Sequence, residues 1–143
     1  MSRLPALLVT HGHVGDALLE AAERIVGKLE DVGVLSNEGL SRESLTAAVR
    51  ERVQAFGPAG GLLFVDVAGG SCAQAALLVA AREAPGPTPV LCGVNLPMLL
   101  DFAHHRTTLD ARALADRLRA KGQAAVVVLE PRIPPPPAGE PGA

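Results

Sequence analysis

Residues 4–9 read Leu-Pro-Ala-Leu-Leu-Val, and this unbroken apolar run decides the fold. A strand with one face in water alternates apolar and polar residues, whereas a strand covered on both faces is apolar throughout. The run is therefore predicted to be an interior strand of a parallel sheet that carries helices on both faces. Apolar runs at Gly61–Val67 and Val90–Val94 support the same prediction.

Strand and helix patterns alternate along the chain. Five strands are predicted, at Leu4–Val9, Val32–Leu35, Gly61–Val67, Val90–Val94 and Ala124–Leu129. Helices are predicted between them, starting near Asp16, Ser41, Ser71 and Asn95. Thr107 and Asp110 resemble a capping box and predict the start of one more helix. This alternation is typical of an α/β protein with a doubly wound, mainly parallel sheet, and we predict a flavodoxin-like strand order.

The composition excludes several classes of protein. The 143 residues fit one domain, and 48% of them are hydrophobic, which is enough for a core. The net charge of −2 and a content of only three aromatic residues argue against nucleic-acid binding. No apolar run approaches the ~20 residues that span a bilayer, and no signal-peptide pattern is found, so we expect a cytoplasmic protein. The two cysteines are expected to be reduced thiols.

The C-terminal segment differs in composition from the rest of the chain. Residues 131–143 contain six of the 12 prolines. Because proline lacks the backbone donor that helices and sheets use, this segment is expected to be an extended, disordered tail. The sequence thus predicts a domain over residues 1–130 and a Pro-rich tail over residues 131–143.

A candidate site lies where the strand order is expected to reverse. Ligands of open parallel sheets gather at such a switch point, at the carboxyl ends of the strands. The first predicted strand leads into Thr10-His11-Gly12-His13, and the third leads into residues 66–71, which read Asp-Val-Ala-Gly-Gly-Ser. His11 and Asp66 are therefore expected at the same edge of neighbouring strands, within reach of a hydrogen bond.

This pair has a specific chemical meaning. A carboxylate that accepts one ring N–H fixes the imidazole tautomer and leaves the other nitrogen as a nucleophile. Gly69, Gly70 and the predicted helix start at Ser71 would offer backbone N–H groups to phosphate oxygens. Neither a phosphate-binding nucleotide loop nor kinase motifs are found, so another protein is expected to supply the phosphoryl group.

Three motifs follow predicted strands: Thr10-His11-Gly12, Phe64-Val65-Asp66-x-x-Gly69-Gly70-Ser71 and Gly93-Val94-Asn95-Leu96-Pro97-Met98-Leu99. Together they resemble the mannose-type enzyme IIA of the bacterial phosphoenolpyruvate-dependent sugar phosphotransferase system. The resemblance covers residues 4 to about 130. It implies a doubly wound parallel sheet, usually in a homodimer whose last strand is exchanged onto the partner subunit.

The resemblance also implies roles for individual residues. His11 would accept a phosphoryl group from the carrier HPr and pass it to a IIB protein, and Asp66 would orient the ring so that Nε2 carries the phosphate. Phosphate binding is assigned to Gly12, Gly69, Gly70 and Ser71. No cofactor and no metal are expected, and association with a membrane permease would occur only through IIB.

The chain departs from the family pattern D-[TL]-[WF]-G-G-S-P, because Val67, Ala68 and Cys72 occupy its variable positions. The missing aromatic residue leaves the identity of the partner open. One alternative is a regulatory module whose phosphohistidine reports phosphoenolpyruvate supply without sugar transport. Another is a metal-dependent hydrolase, suggested by the H-x-H-x-x-D spacing of His11, His13 and Asp16. Cys72 is interpreted as a small buried thiol.

Overall fold

The computed structural model describes residues 2–139 and contains one parallel sheet of four strands in the order β2-β1-β3-β4. The strands are β1 Ala6–Thr10, β2 Val32–Ser36, β3 Leu62–Val65 and β4 Val90–Cys92. The helices are α1 Val14–Val26, α2 Arg42–Gln54, α3 Ser71–Arg82, α4 Leu96–His105 and α5 Ala111–Ala124. The order confirms the predicted doubly wound α/β fold and its flavodoxin-like beginning.

Both faces of the sheet are covered, which explains the unbroken apolar run in the sequence. Every residue of β1 is buried, and Leu8 is in register with Phe64 of β3 on the face that α1, α4 and α5 cover. Leu7 and Leu63 are paired in the same way on the face that α2 and α3 cover. Successive strand residues point to opposite faces, so each strand supplies apolar side chains to two cores.

The central position of β1 and β3 creates the switch point. From β1 the chain moves outward to β2, and from β3 it moves outward to β4 in the opposite direction. The loops that follow β1 and β3 therefore diverge at the carboxyl edge of the sheet, where ligands of such folds bind. This arrangement confirms the expected position of the switch point.

Three helices begin at side-chain caps. The Ser41 hydroxyl accepts the N–H of Ser44 at 3.0 Å, and Asn95 Oδ1 accepts the N–H of Met98 at 3.0 Å. At α5 the cap is Asp110, whose Oδ1 accepts the N–H of Ala113 at 2.8 Å. The prediction that Thr107 opens this helix was wrong, because residues 107–109 form a turn that closes α4.

The prediction of a fifth strand at Ala124–Leu129 was also wrong for the single chain. Helix α5 continues to Ala124, and within residues 2–139 no strand pairs with the segment that follows. Val126 and Val128 are 82% and 90% exposed. β-branched residues favour a strand, but a strand forms only where another strand supplies hydrogen-bond partners.

Residues 131–139 have no regular secondary structure and are exposed, and residues 140–143 of the predicted tail lie outside the described part of the chain. The helices found between residues 2 and 139 are all too short or too polar to traverse a bilayer.

Candidate functional site

The carboxyl ends of β1 and β3 bring His11 and Asp66 together. The backbone N–H of His11 donates to Asp66 Oδ2 at 3.0 Å, and the ring Nδ1 lies 3.1 Å from Oδ2 and 3.2 Å from Oδ1. One carboxylate therefore holds both the main chain and the ring of the histidine. The hydrogen bond expected from the sequence is present.

The geometry determines which ring nitrogen is available. An ionised carboxylate only accepts hydrogen bonds, so His11 Nδ1 carries the proton and Nε2 keeps its lone pair. Nε2 faces Gly70, because a Cβ atom placed on Gly70 would lie 3.9 Å from it. The His11 side chain is 43% exposed and that of Asp66 is 14% exposed. The pair thus presents a partly exposed imidazole on a shielded carboxylate.

The electrostatics keep Asp66 ionised. Burial raises the pKa of this carboxyl, but hydrogen bonds from the backbone and ring of His11 lower it more, so the net pKa lies below the usual value. A further N–H, from Val67, donates to Asp66 Oδ1 at 3.1 Å. Asp66 is consequently negative at neutral pH and can stabilise positive charge on the ring.

The start of α3 lies beside Nε2 and has no side-chain cap. Its N-cap residue is Gly70, with φ at 98°, a conformation that favours glycine. The first backbone N–H groups of a helix lack acceptors within the helix, and the N-cap residue of α3 supplies none from its side chain. A Cβ on Gly69 would meet no atom within 4 Å, so this approach to the helix is open. The helix start can therefore accept an anion next to His11.

Gly12 and Asn37 form a contact that sequence reasoning missed. The N–H of Gly12, which was assigned to phosphate binding, donates to Asn37 Oδ1 at 3.3 Å, and the N–H of Asn37 donates to the Thr10 carbonyl at 3.1 Å. Asn37 directly follows β2, at the same sheet edge as His11. The position of this polar residue directly after β2, a neighbour of β1, is the feature of the sequence that could have indicated the contact.

Thr10 and Gly15 fix the approach of α1 to the site. The buried Thr10 hydroxyl accepts the N–H of Gly15 at 2.8 Å, and a Cβ on Gly15 would lie 2.8 Å from both Thr10 Oγ1 and Val34 Cγ1. Only a residue without a side chain fits between these atoms. The close contact sets the path of the backbone from β1 through His11 into α1.

The loop after β4 supports the strand that carries Asp66. The N–H groups of Gly93 and Val94 donate to the Val65 carbonyl at 2.9 and 3.1 Å. Asn95, in the same loop, caps α4 and donates from Nδ2 to the Gly122 carbonyl at 3.2 Å. The motif that begins at Gly93 thus serves here to position β3, α4 and α5.

Cys72 is buried, as interpreted from the sequence, and lies against the His–Asp pair. Its sulfur, a ring nitrogen of His11 and a carboxylate oxygen of Asp66 all lie within 4.8 Å of one another. Burial and the negative charge of Asp66 raise the pKa of the Cys72 thiol. No feature of the sequence alone indicated this convergence.

The spacing of His11, His13 and Asp16 does not produce a metal site. His13 is exposed and lies 3.6 Å from Asp16 and 3.7 Å from Glu38, as in a surface ion pair. Among the described residues, the cluster of three ligand-type side chains that includes His11 contains neither His13 nor Asp16. The hydrolase interpretation based on that spacing is not supported by this arrangement.

A wide groove lies elsewhere on the described chain. It has a volume of about 910 Å³ and is lined at the opposite edge of the sheet by residues that include Arg3, Asp31 and Arg52. His11 and Asp66 do not line it. The His11 side chain is 43% exposed, which suits contact with another protein better than enclosure of a small substrate.

The fold and the site together define a class: a doubly wound α/β protein that presents a carboxylate-bound imidazole at the switch point of its sheet. A family model described as the fructose IIA component of the phosphotransferase system, EIIA-man, matches residues 6–119. The chain belongs to this family of phosphotransferase system components.

Solved structures share the fold of this chain. The EIIA component from Streptococcus agalactiae is 24% identical, with a TM-score of 0.81 over 87% of this chain and 96% of that one. The mannose/sorbose-specific IIA subunit from Enterococcus faecalis is 26% identical, with a TM-score of 0.73 over 93% of this chain and 100% of that one. No curated protein matches the sequence.

Proposed function

We propose that this chain is a phosphohistidine carrier that accepts a phosphoryl group from HPr on Nε2 of His11 and transfers it to a IIB protein. The observation that supports this most is the orientation of His11. Its Nδ1 is bound to Asp66 at 3.1 Å, and its Nε2 faces the uncapped start of α3. The activity would be a phosphotransferase reaction in the cytoplasm, between proteins.

The transfer balances without an external proton. The Nε2 lone pair attacks phosphorus on the phosphohistidine of HPr, the P–N bond to the donor breaks, and its electron pair returns to the donor ring. His11 keeps the proton on Nδ1, so positive charge develops on its ring, and Asp66 stabilises that charge. Transfer to a IIB histidine runs through the same steps with His11 as the donor.

The surroundings of His11 suit both the phosphoryl group and a protein partner. Backbone N–H groups at Gly70 and Ser71 would bind the phosphoryl oxygens; the uncapped start of α3 and the open space at Gly69 support this assignment. Gly12 is the weaker candidate, because its N–H is already bound to Asn37. Val67, next to Asp66, is 52% exposed and offers an apolar contact beside Ala68, which occupies the aromatic position of the family pattern.

Labelling tests the proposal directly. The chain is incubated with phosphoenolpyruvate, enzyme I and HPr, and the acid-labile phosphoryl group is mapped by mass spectrometry. We expect a single phosphohistidine at His11, lost in His11→Ala and retained in the matched control His13→Ala, since His13 is exposed and outside the pair. Labelling that persists in His11→Ala would refute the proposal. Labelling at His11 without onward transfer to any IIB protein of the same cell would instead favour the regulatory alternative.

We also propose that the chain forms a homodimer through residues 126–129. These residues include the exposed Val126, Val127, Val128 and Leu129, and β4 is an edge strand that can pair with them in a second copy. A chain shortened after residue 125 is the matched variant. Light scattering at micromolar concentration should give a dimer for the full chain and a monomer for the shortened one; a monomeric full chain would contradict this part of the proposal.

A further inference from the structure

We infer that His11, Asp66 and Cys72 form a binding site for Zn²⁺, and that zinc bound there prevents His11 from accepting a phosphoryl group. The three side chains offer one nitrogen, one oxygen and one sulfur, all within 4.8 Å of one another. These are the donor types that zinc prefers, and a site with three protein ligands keeps a fourth position open for water.

The site is nearly assembled before any metal binds. Bond lengths of about 2.0–2.3 Å in a tetrahedral site place ligand atoms roughly 3.3–3.7 Å apart, so the sulfur needs to approach the other two ligand atoms by at most about 1 Å. His11 Nδ1 and Asp66 Oδ2 already lie 3.1 Å apart. The ligands follow β1, follow β3 and begin α3, three elements that the sheet and its cores hold in place. The exposure of His11 gives the ion access from solvent.

The sulfur ligand distinguishes this chain from the family pattern. Cys72 stands at the position where the family pattern noted above has proline, which has no metal-binding side chain. Without the sulfur only the histidine and the carboxylate remain, and two ligands do not make a stable zinc site. Zinc binding should therefore require Cys72, and the fold shared by the family should not be sufficient for it.

Coordination removes the nucleophile whichever ring nitrogen binds. If Nδ1 binds zinc, the single proton of the neutral ring moves to Nε2, and the lone pair needed for attack is lost. If Nε2 binds zinc, its lone pair is used in the bond to the metal. In both cases the Cys72 thiol releases its proton to solvent. This inhibitory effect rests on the proposed function, whereas zinc binding itself does not.

The binding test uses the full chain, stripped of metal and kept reduced. Titration calorimetry with ZnCl₂ should show one zinc ion per chain. Titration with Co²⁺ should produce the near-ultraviolet charge-transfer band of a cobalt–thiolate bond. Cys72→Ser should weaken zinc binding at least tenfold, while Cys92→Ser, the matched control with a thiol outside the cluster, should leave it unchanged. Absence of the thiolate band in the unsubstituted chain overturns the inference whether or not the variants fold.

The inhibition test separates the inference from the proposed function. Isolated phospho-HPr is used without enzyme I, and transfer to the chain is compared with and without one equivalent of zinc, within each variant. We expect zinc to slow transfer at least tenfold in the unsubstituted chain and in Cys92→Ser, and less than twofold in Cys72→Ser. Equal inhibition in all three overturns the inference. If no transfer occurs without zinc, the proposed function fails, and the binding test still decides whether the metal site exists.

Discussion

Replacement of Asp66 by asparagine tests how much the carboxylate contributes to transfer. Two unit charges 3.1 Å apart, the separation of His11 Nδ1 and Asp66 Oδ2, attract by about 5 kcal/mol at an effective dielectric constant of about 20. The His11 side chain is 43% exposed, and solvent screening reduces this to about 2–3 kcal/mol. At 1.4 kcal/mol per factor of ten, loss of the charge should slow transfer roughly 30- to 150-fold.

The assay is single-turnover transfer from isolated phospho-HPr, followed by rapid quench. The asparagine side chain keeps an oxygen that can accept the N–H groups, so the Asp66→Asn chain should fold, which thermal unfolding checks. The matched control is Asp16→Asn, because Asp16 is an exposed acid beside His13 and not beside His11. A change in rate of less than threefold in Asp66→Asn, with the fold intact, would refute the assignment of Asp66 as the residue that stabilises the charged ring.

Three further outcomes are expected. Gly70 has φ 98°, and a Cβ on it would lie 3.9 Å from His11 Nε2. Gly70→Ala should therefore lower the free energy of unfolding by about 1 kcal/mol in a denaturant titration and slow transfer more than Gly69→Ala does. Equal effects of the two substitutions on transfer would contradict the role of this helix start. Gly15→Ala should lower the free energy of unfolding by about 1–3 kcal/mol, because the new methyl group would lie 2.8 Å from Thr10 Oγ1. The control is Gly57→Ala, which should not show this loss, because a Cβ on Gly57 would meet no atom within 4 Å. Folding lowers the pKa of Asp66 below its ordinary value of 3.8. The stability that ionised Asp66 provides is therefore complete above pH 3.8 and is lost as the pH falls through the pKa of the folded state. In acid titrations the stability advantage over Asp66→Asn should shrink below pH 3.8, and an advantage that grew there would contradict the direction of the shift.

Much of the fold could be predicted because its signals are local. The apolar run at residues 4–9 indicated a strand covered on both faces, and β1 is buried throughout. Ser41 and Asn95 carry the side-chain oxygens that cap α2 and α4. The fifth strand could not be decided in this way, since residues 126–129 have strand-forming side chains but no strand among residues 2–139 pairs with them.

The candidate site was predictable only in part. The meeting of His11 and Asp66 followed from topology, because parallel strands bring their carboxyl ends to one edge. The positions of Asn37 and Cys72 depend on how a loop and the first turn of α3 fold back on that edge. Such convergence of side chains is a matter of tertiary packing, which a one-dimensional pattern does not encode.

The double attachment of His11 to Asp66 has a consequence for recognition. Because one carboxylate binds both the peptide N–H and the ring of His11, the imidazole would have little freedom to rotate if it gained a phosphoryl group as proposed. We expect the loaded and empty forms to have nearly the same shape and to differ mainly by the added negative charge of the phosphoryl oxygens. Partners would then distinguish the two forms by the change in electric field at His11, because a donor that carries a phosphoryl group of its own is repelled by the loaded form.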